Sequence, residues 1–289
     1  MMITANTKIC GLIGNPVEHS MSPAMHNAAF AAGGLDFIYV PFRVEKERLE
    51  EAIGGLRGLN IRGLNVTIPH KVAVIPFLDG LDGLAEKIGA VNTIVNEDGR
   101  LTGHNNDAGG FLRALTESGI KPAGKKVVVL GAGGVARAIA FTLAENGASP
   151  PIMNRKLEFG WAVSLAGQLE QAFKMKVEAL ELTEVNLKVA LRRADILVNA
   201  TSVGMSPNRN DTPVPRRLLK QEMAVFDVVY NPRKTRLLAE AGAVGAVTIS
   251  GLEMLVWQGA LAFEVWTGRK APVALMREEA LKALGDNED

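Results

Sequence analysis

The chain has 289 residues, a length that predicts about two domains and leaves room for a substantial hydrophobic core. Hydrophobic residues make up 47% of it and charged residues 22%, a composition typical of globular proteins, which excludes an intrinsically disordered chain. The 32 Lys and Arg residues nearly balance the 31 Asp and Glu residues, and the net charge of +1 argues against a protein that binds nucleic acid or anionic membranes.

The N-terminal region and the cysteine content indicate the compartment in which the protein works. The first residues, MMITANTKICGLIG, lack the basic flank and the long apolar run of a signal peptide. The most apolar stretch, residues 252–266, is interrupted by two glutamates and a glutamine, so we do not expect it to span a membrane. Cys10 is the only cysteine and cannot form an internal disulfide, which favours a reducing compartment. We therefore expect a cytoplasmic protein.

An alanine-rich helix is predicted to begin close to residue 22. Ser22 precedes Pro23 and the segment AMHNAAFAAGG, so Ser22 has the expected position of a helix N-cap and Pro23 that of the first helical residue. A helix N-terminus beside the hydroxyl groups of Ser20 and Ser22 is also suited to hold a substrate carboxylate. The sequence is compatible with capping alone and with capping combined with binding.

The next polar positions lie around a short strand. Residues 63–68 predict a strand that ends at a proline, and period-two alternation places Asn65 and Thr67 on one face near its C-terminal end. Ligands of open α/β sheets bind outside the carboxyl ends of the strands, so Lys71, just past this strand, is placed to reach a substrate. The alternative for Lys71 is an ordinary solvated surface lysine.

A further strand and the expected domain boundary follow. Residues 90–95 predict a strand that contains Asn92, and the segment GHNND then brings the carboxylate of Asp107 to a change of composition at residues 107–110. We expect the hinge between two domains there, before the helical pattern FLRALTESG. The four histidines lack the i,i+4 spacing of a metal-binding pair, so no metal site is predicted.

The most specific local pattern is a glycine-rich loop between a strand and a helix. Residues 125–130 predict a buried strand, which is followed by GAGGVA and then by the helical segment RAIAFTLAENG. This is the G-x-G-x-x-A form of the dinucleotide-binding fingerprint: Gly131 permits a tight turn, Gly133 lets the backbone approach a pyrophosphate, and Ala136 permits close helix packing. The helix N-terminus then faces the phosphates, and we predict a dinucleotide cofactor.

The choice between NADP and NAD depends on residues about 20 positions further on, where an NAD site usually has a carboxylate. Here the chain has Asn154, Arg155 and Lys156. Two cations suit the 2′-phosphate of NADP, because a guanidinium can bind it through two parallel charge-assisted hydrogen bonds. We predict NADP. A solvated basic loop is the alternative for these residues, and the nearby Glu158 keeps NAD open.

The alternation of segments predicts the fold class. Short Val, Ile and Leu runs at residues 127–130, 196–198 and 225–229 alternate with longer alanine-rich segments. This is the βαβ rhythm of a parallel sheet, and it predicts an α/β protein.

Eight segments, in chain order and over nearly the whole sequence, resemble the shikimate dehydrogenase family: GNPVEHSMSPAMHN, NVTIPHK, GAVNTIVN, GHNND, VLGAGGVARA, NATSVGM, DVVYNP and GLEMLVWQGA. The resemblance implies an N-terminal α/β substrate domain, a Rossmann-type doubly wound NADP-binding domain, and C-terminal helices that return to the substrate domain. The substrate domain would comprise residues 1–107 and 252–289, and the dinucleotide-binding domain residues 108–251. The implied activity is the reversible NADPH-dependent reduction of 3-dehydroshikimate to shikimate in aromatic amino acid biosynthesis.

The same resemblance implies roles for individual residues. Lys71 and Asp107 match the catalytic pair beside the reacting hydroxyl group. Substrate contacts are implied for Ser20, Ser22, Asn65, Thr67, Asn92, Tyr230 and Gln258. Cofactor contacts are implied for Gly131, Ala132, Gly133, Gly134, Val135, Asn154, Arg155, Lys156, Thr201, Met205, Gly251 and Met254. Among the last group, Met205 and Met254 match positions near the nicotinamide.

Several alternatives stay open at the level of sequence. The sequence departs from the family at Asn106 and Lys156, where threonine is common, and the segment after Asn154 is long. In its length this segment resembles that of the quinate/shikimate dehydrogenases, which use NAD or NADP. A catalytically silent NADP-binding regulator is a more remote alternative, and the intact Lys71 and Asp107 argue against it. The expected partner is a small-molecule substrate, with no nucleic acid or membrane, and the expected state is a monomer or a homodimer.

Overall fold

The structure is a computed structural model that describes residues 3–285, and within this range the chain forms an α/β protein, as predicted. The strands are, in chain order, β1 (Lys8–Gly14), β2 (Phe37–Arg43), β3 (Gly63–Val66), β4 (Gly80–Leu81), β5 (Thr93–Glu97), β6 (Arg100–His104), β7 (Val127–Leu130), β8 (Ile152–Asn154), β9 (Ala179–Glu181), β10 (Ile196–Asn199), β11 (Ala224–Asp227) and β12 (Val247–Ser250). The helices are α1 (Ser22–Ala32), α2 (Leu49–Gly58), α3 (Gly83–Ile88), α4 (Asn106–Glu117), α5 (Gly134–Glu145), α6 (Phe159–Phe173), α7 (Glu184–Leu191), α8 (Arg236–Ala243), α9 (Gly251–Thr267) and α10 (Val273–Leu284).

The chain divides into two compact units. The first contains the residues up to Gly110 and those from Val256 onward, and the second contains Phe111–Leu255. The sequence placed the domain boundaries after residues 107 and 251 and expected a hinge at residues 107–110. In the structure this segment belongs to helix α4, which begins earlier than expected because the backbone N–H of Asn106 donates to the side chain of Asn92 at 2.7 Å. An N–H of the first helical turn, which has no partner within the helix, is thereby satisfied.

The first unit is built on a mixed sheet with the strand order β2-β1-β3-β5-β6-β4. Strand β1 pairs in parallel with β2 and β3, whereas β5 pairs antiparallel with β3 and β6. The C-terminal end of β3 and the N-terminal end of β5 therefore lie side by side, at the same end of these two strands. The register pairs Asn65 with Thr93 at this end of the strands, so two polar residues lie side by side there.

The C-terminal helices complete the core of the first unit. Buried residues of this core include Ile53, Leu64 and Ile94, and helix α10 packs against α1. Trp266 of α9 covers the sheet, because its indole Nε1 donates to the backbone oxygen of Ile94 at 3.0 Å. A side chain at Gly63 would collide with this indole, so the close approach requires glycine.

Helix α1 begins one residue earlier than predicted. The residue before the helix is Met21, whose φ of −86° and ψ of −9° are already helical, and Ser22 is the first helical residue rather than the N-cap. The backbone N–H of Ser22 donates to Oγ of Ser20 at 3.3 Å. Met21 itself provides no side-chain cap.

The second unit contains a parallel sheet with the strand order β12-β11-β10-β7-β8-β9. The order runs outward in both directions from the adjacent strands β7 and β10, which is the topology of a doubly wound dinucleotide-binding fold. Ligands of such sheets bind at the carboxyl ends of the strands beside this switch point. The loop that follows β7 lies there.

The second unit has its own apolar core. It includes buried residues of β7, β10 and β11, such as Val128, Leu197 and Val225, packed with Leu237 and Leu238 of α8. Among residues 3–285, no helix has both the length and the apolar character that a membrane span requires.

Candidate active site

A lysine and an aspartate form a nearly buried ion pair in the first unit. The Nζ atom of Lys71 lies 2.5 Å from Oδ2 of Asp107, and the two side chains are 11% and 6% exposed. Lys71 follows β3 in a turn that is held by a hydrogen bond of 2.7 Å from the N–H of Val91 to the Lys71 oxygen. Asp107 lies in the first turn of α4, where the helix dipole stabilises a carboxylate. The two predicted catalytic residues, 36 positions apart, are therefore in direct contact.

The amide of Asn92 connects this ion pair to a glutamine. Its Nδ2 donates to Oδ1 of Asp107 at 3.0 Å and to Oε1 of Gln258 at 3.3 Å. All three side chains are more than nine-tenths buried. The predicted strand boundary was wrong here, because β5 begins at Thr93 and Asn92 lies just before it. The N–H of Val91 bonds to the turn at Lys71 and not to a neighbouring strand.

Asn65 lies near the end of β3, and both the oxygen and the nitrogen of its side-chain amide form hydrogen bonds. Its Oδ1 accepts from the Tyr39 hydroxyl at 2.7 Å, and its Nδ2 donates to Oγ1 of Thr93 at 3.1 Å. Thr67 comes one residue after the strand and is half-buried. Tyr39 and Thr93 were not singled out in the sequence, because each contacts the site only through strand pairing.

Two serines lie at the N-terminus of α1. The N–H of Ser22 donates to Oγ of Ser20 at 3.3 Å, and Ser22 is buried whereas Ser20 is half-buried. The N–H of Ser22 is already bonded and Pro23 has no N–H, so the two hydroxyl groups and the positive end of the helix dipole are what suit this place to an anion such as a carboxylate.

The glycine-rich loop of the second unit has the geometry of a phosphate site. Gly131 has a φ of +103°, and a Cβ there would lie 2.8 Å from the Ala200 oxygen, so only glycine fits. Gly133 is the N-cap of α5 and provides no side-chain cap, and no atom lies within 4 Å of the position that its Cβ would occupy. Ala136 is fully buried, as close helix packing requires. This open space at a helix N-terminus fits the pyrophosphate of a dinucleotide.

The loop after β8 carries the predicted 2′-phosphate residues. Asn154 is buried and organises the loop, because its Nδ2 donates to the Glu158 oxygen at 3.0 Å and its Oδ1 accepts from the Arg155 N–H at 3.0 Å. The guanidinium of Arg155 is largely exposed and contacts the carboxylate of Glu158. This contact holds the pKa of Glu158 below its usual value. Lys156 is exposed.

The other predicted residues of the second unit follow the carboxyl ends of its strands. Thr201 comes after β10, and its Cγ2 would lie 3.2 Å from a Cβ on Gly131, so it adjoins the phosphate loop. The remaining residues follow β10, β11 and β12: Met205, Tyr230, Gly251 and Met254. Tyr230 is half-buried, and burial raises the pKa of its hydroxyl group. Tyr230 is the only predicted substrate residue that lies in the second unit.

A buried aspartate beside these residues was missed in the sequence. Asp227 ends β11 and accepts hydrogen bonds from Asn199 at 2.9 Å, from Thr235 at 2.6 Å and from the N–H of Val229 at 3.1 Å. Burial raises the pKa of its carboxyl group to about 6. The DVVYNP segment contained this residue, but nothing local indicated that its partners lie on β10 and next to α8.

The structure offers no metal site in the part of the chain that it describes. No group of three or more His, Cys, Asp or Glu side chains in residues 3–285 is arranged to hold an ion. His26, one of the buried histidines, stacks on Tyr39 with 4.4 Å between ring centroids, and burial lowers its pKa to about 3. This imidazole is consequently neutral and has a packing role.

Comparison with known families gives three matches along the chain. Residues 12–94 match the family described as "Shikimate dehydrogenase substrate binding domain". Residues 114–252 match "Shikimate / quinate 5-dehydrogenase", and residues 251–281 match "Shikimate 5'-dehydrogenase C-terminal domain".

Individual proteins are similar over nearly the entire chain. The shikimate dehydrogenase (NADP(+)) of Dehalococcoides mccartyi is 50% identical over 286 residues, which cover 99% of each chain. A crystal structure of a shikimate dehydrogenase in complex with NADP+ has a TM-score of 0.92 at 43% identity and covers 98% of each chain. The shikimate 5-dehydrogenase of Listeria monocytogenes, in complex with shikimate and NAD, has a TM-score of 0.89 at 42% identity and covers 96% of this chain and 98% of the other.

Proposed function

The chain belongs to the shikimate dehydrogenase family, and on that premise we propose that it catalyses the reversible NADPH-dependent reduction of 3-dehydroshikimate to shikimate in aromatic amino acid biosynthesis. The observation that carries the proposal is the nearly buried contact of 2.5 Å between Lys71 and Asp107, surrounded by the amides of Asn92 and Gln258. A proton donor held next to several hydrogen-bonding groups suits the reduction of a carbonyl on a polyhydroxylated acid.

The substrate would be held mainly by the first unit. Ser20 and Ser22 at the N-terminus of α1 would bind the carboxylate, because their hydroxyl groups can donate to an anion and the helix dipole is positive there. The ring hydroxyl groups would be specified by the remaining polar side chains: Asn65, Thr67, Asn92, Tyr230 and Gln258. A substrate that lacks one of these hydroxyl groups would leave a buried polar group unpaired, which is the basis of strong discrimination.

The cofactor would be held by the second unit. Gly131, Gly133 and the N-terminus of α5 would bind the pyrophosphate, and Arg155 with Lys156 would bind the 2′-phosphate. The other cofactor residues would be Ala132, Gly134, Val135, Asn154, Thr201, Met205, Gly251 and Met254. When bound, NADPH supplies a hydride, a chemistry that no side chain provides.

The protein residues would handle the proton of the reaction. Reduction of the ketone adds a hydride to the carbonyl carbon and a proton to the carbonyl oxygen. Lys71 would donate this proton from its ammonium group and take it back when shikimate is oxidised. Asp107 would hold the ammonium group in place through the hydrogen bond to Nζ, and Asn92 would hold Asp107.

The direct test is the shikimate-dependent reduction of NADP by the purified protein. We expect NADPH absorbance to rise and the product to have lost two hydrogens by mass, as 3-dehydroshikimate requires. Binding of NADP without turnover on shikimate or quinate would contradict the proposal and favour a catalytically silent regulator.

A dual-specificity enzyme is the second candidate, and one observation favours it. Glu158 engages the guanidinium of Arg155, so the residue proposed for the 2′-phosphate already has an anionic partner. A carboxylate in this loop could also accept a hydrogen bond from the 2′-hydroxyl of NAD. The alternative is therefore a quinate/shikimate dehydrogenase that uses NAD or NADP. In either case we propose a cytoplasmic enzyme that acts as a monomer or a homodimer.

A further inference from the structure

Hydroxyl and amide groups, all buried except the half-buried Asn106, form a continuous network of hydrogen bonds next to the Lys71–Asp107 pair. Its members all lie in the first unit: Tyr39, Asn65, Thr93, Asn92 and Asn106. Tyr39 bonds to Asn65 at 2.7 Å, and Asn65 bonds to Thr93 at 3.1 Å. Thr93 in turn bonds to Asn92 at 3.0 Å, and Asn92 reaches Asp107 at 3.0 Å. The network therefore joins Tyr39 and Asn65 to Asp107 of the ion pair.

Which group donates and which accepts in these hydrogen bonds can be worked out starting from Asn92. The backbone N–H of Asn106 lies 2.7 Å from Oδ1 of Asn92, and a backbone N–H can only donate. The oxygen of the Asn92 amide must consequently face Asn106. Its Nδ2 is left to face Asp107, whose ionised carboxylate can only accept.

Thr93 transmits this direction because its hydroxyl group has a single proton. The Thr93 side chain is fully buried, and its Oγ1 lies 3.0 Å from the oxygen of the Asn92 amide, so it must donate there. Toward Asn65 and Asn106, whose Nδ2 atoms lie at 3.1 Å and 3.0 Å, it can then only accept. The one proton and the two lone pairs of this hydroxyl group are all used.

The remaining bonds follow from those of Thr93. Nδ2 of Asn65 faces Thr93 and also the backbone oxygen of Asn92 at 3.3 Å, so Oδ1 of Asn65 faces Tyr39, which must donate. Burial raises the pKa of Tyr39, so the hydroxyl group keeps the proton that this bond needs.

We propose that Thr93 is a positioning residue of this active site: its hydroxyl proton gives the oxygen of the Asn92 amide a second donor beside the Asn106 N–H, which supports the orientation of Nδ2 toward Asp107, and its lone pair gives Nδ2 of Asn65 the shorter of its two acceptors. The inference rests on the proposed function, in which both amides face the substrate. Without the hydroxyl group, Nδ2 of Asn65 keeps only its longer bond of 3.3 Å to the backbone oxygen of Asn92, and the oxygen of the Asn92 amide keeps only the Asn106 N–H, so both amides are held by fewer hydrogen bonds in a buried site.

The test uses two matched pairs of variants that separate the hydroxyl group from the methyl group. Thr93→Val keeps the methyl-sized branch and removes the hydroxyl group, whereas Thr93→Ser does the opposite. Thr93→Ala and Thr93→Ser form the second pair, which differs only in the hydroxyl group. For Val and Ala we expect kcat/KM for shikimate to fall about tenfold to a hundredfold, with a higher KM as well as a lower kcat. For Ser we expect values within about threefold of wild type, as for a retained hydrogen bond.

The controls separate positioning from folding. A smaller folded fraction lowers the apparent kcat but leaves KM unchanged, so a raised KM for shikimate with an unchanged KM for NADP reports on positioning. Thr142→Val removes the hydroxyl group of another buried threonine, in α5, and should leave both constants unchanged. If Thr93→Val does not fold, Tyr39→Phe probes the hydrogen bond at the other end of this network, between Tyr39 and Asn65. For this variant we expect a higher KM for shikimate and a retained kcat.

Three results would overturn the proposal. Wild-type constants in Thr93→Val would show that the hydroxyl group is not needed, and equal losses in the Ser, Val and Ala variants would assign the effect to packing of the methyl group. A loss of kcat in Tyr39→Phe as large as in Thr93→Val would mean that the effect on kcat does not depend on the hydrogen bond between Thr93 and Asn92. A wild-type protein that does not oxidise shikimate would instead refute the proposed function and, with it, this inference.

Discussion

The guanidinium of Arg155 forms two hydrogen bonds with the carboxylate of Glu158, from Nε to Oε2 at 2.8 Å and from Nη2 to Oε1 at 2.5 Å. The bidentate geometry is the one that an arginine uses to bind a phosphate. The pair is largely exposed on the arginine side, so it contributes little to stability. Its importance lies in the choice between NADP and NAD.

Removing the guanidinium should weaken the use of NADP selectively. For Arg155→Ala we expect kcat/KM for NADP to fall about tenfold to a hundredfold, the loss typical of charged hydrogen bonds, and kcat/KM for NAD to change little. Arg48→Ala is the matched control, because Arg48 forms an exposed i,i+3 ion pair with Glu51 in the first unit. An equal loss with both cofactors would remove Arg155 from recognition of the 2′-phosphate.

Neutralising the carboxylate of Glu158 should strengthen the use of NADP. In Glu158→Gln the guanidinium loses its anionic partner, and a negative charge next to the 2′-phosphate site disappears. We expect kcat/KM for NADP to rise about threefold and the ratio of NADP to NAD use to rise with it, as for removal of one like-charge contact near the surface. The control is Glu51→Gln, which neutralises the exposed carboxylate that pairs with Arg48 and should leave the ratio unchanged. A fall in NADP use would mean that Glu158 holds Arg155 in its productive position.

Loss of the proposed proton donor should reduce turnover and leave cofactor binding intact. For Lys71→Ala we expect kcat to fall about 10²- to 10⁴-fold, the range for a positioned acid or base. Asp107 would also lose its buried partner, so thermal unfolding must be measured to confirm that the variant is folded at the assay temperature. Lys46→Ala, at an exposed lysine of the same unit, is the control. Near-normal turnover in Lys71→Ala would exclude Lys71 from the mechanism.

The raised pKa of Asp227 predicts a specific pH dependence of stability. Burial raises this pKa from 3.8 to about 6, so between these values the folded state keeps a proton that the unfolded state has released. The folded state binds more protons there, and the contribution of Asp227 to the free energy of unfolding therefore decreases as pH rises through this window. A shift of about two pKa units corresponds to roughly 3 kcal/mol.

The variant Asp227→Asn tests this dependence by calorimetry between pH 4 and pH 7. Whatever its absolute stability, we expect it to become more stable relative to wild type as pH rises, because asparagine cannot ionise. Asp211→Asn, at an exposed carboxyl group of the same unit, is the control. A difference between Asp227→Asn and wild type that does not change with pH would contradict the raised pKa.

The features that could be predicted from the sequence are those that depend on neighbouring residues. The glycine-rich loop was recognised because strand, turn and helix follow one another in the chain, and Gly131 has the positive φ that such a turn requires. The α/β class followed in the same way from the alternation of apolar runs. The predicted start of α1 was wrong by one residue, because the start depends on the backbone angles of Met21, which composition does not determine.

The features that could not be predicted depend on pairing between distant strands. Tyr39 contacts Asn65 across 26 positions, and Asn199 contacts Asp227 across 28 positions. No local pattern marks such residues, since each looks like an ordinary strand residue until its partner is known. The contact between Lys71 and Asp107 was expected only from the resemblance to a family, and not from spacing.

The central claim is tested most directly by initial rates of the purified protein with shikimate or quinate, each combined with NADP or NAD. The comparison is made as kcat/KM, because that ratio measures discrimination between substrates. The account predicts a strong preference for shikimate with NADP. Comparable rates with quinate or with NAD would contradict it and would identify a dual-specificity enzyme, and no turnover in any of the four combinations would contradict the proposed reaction itself.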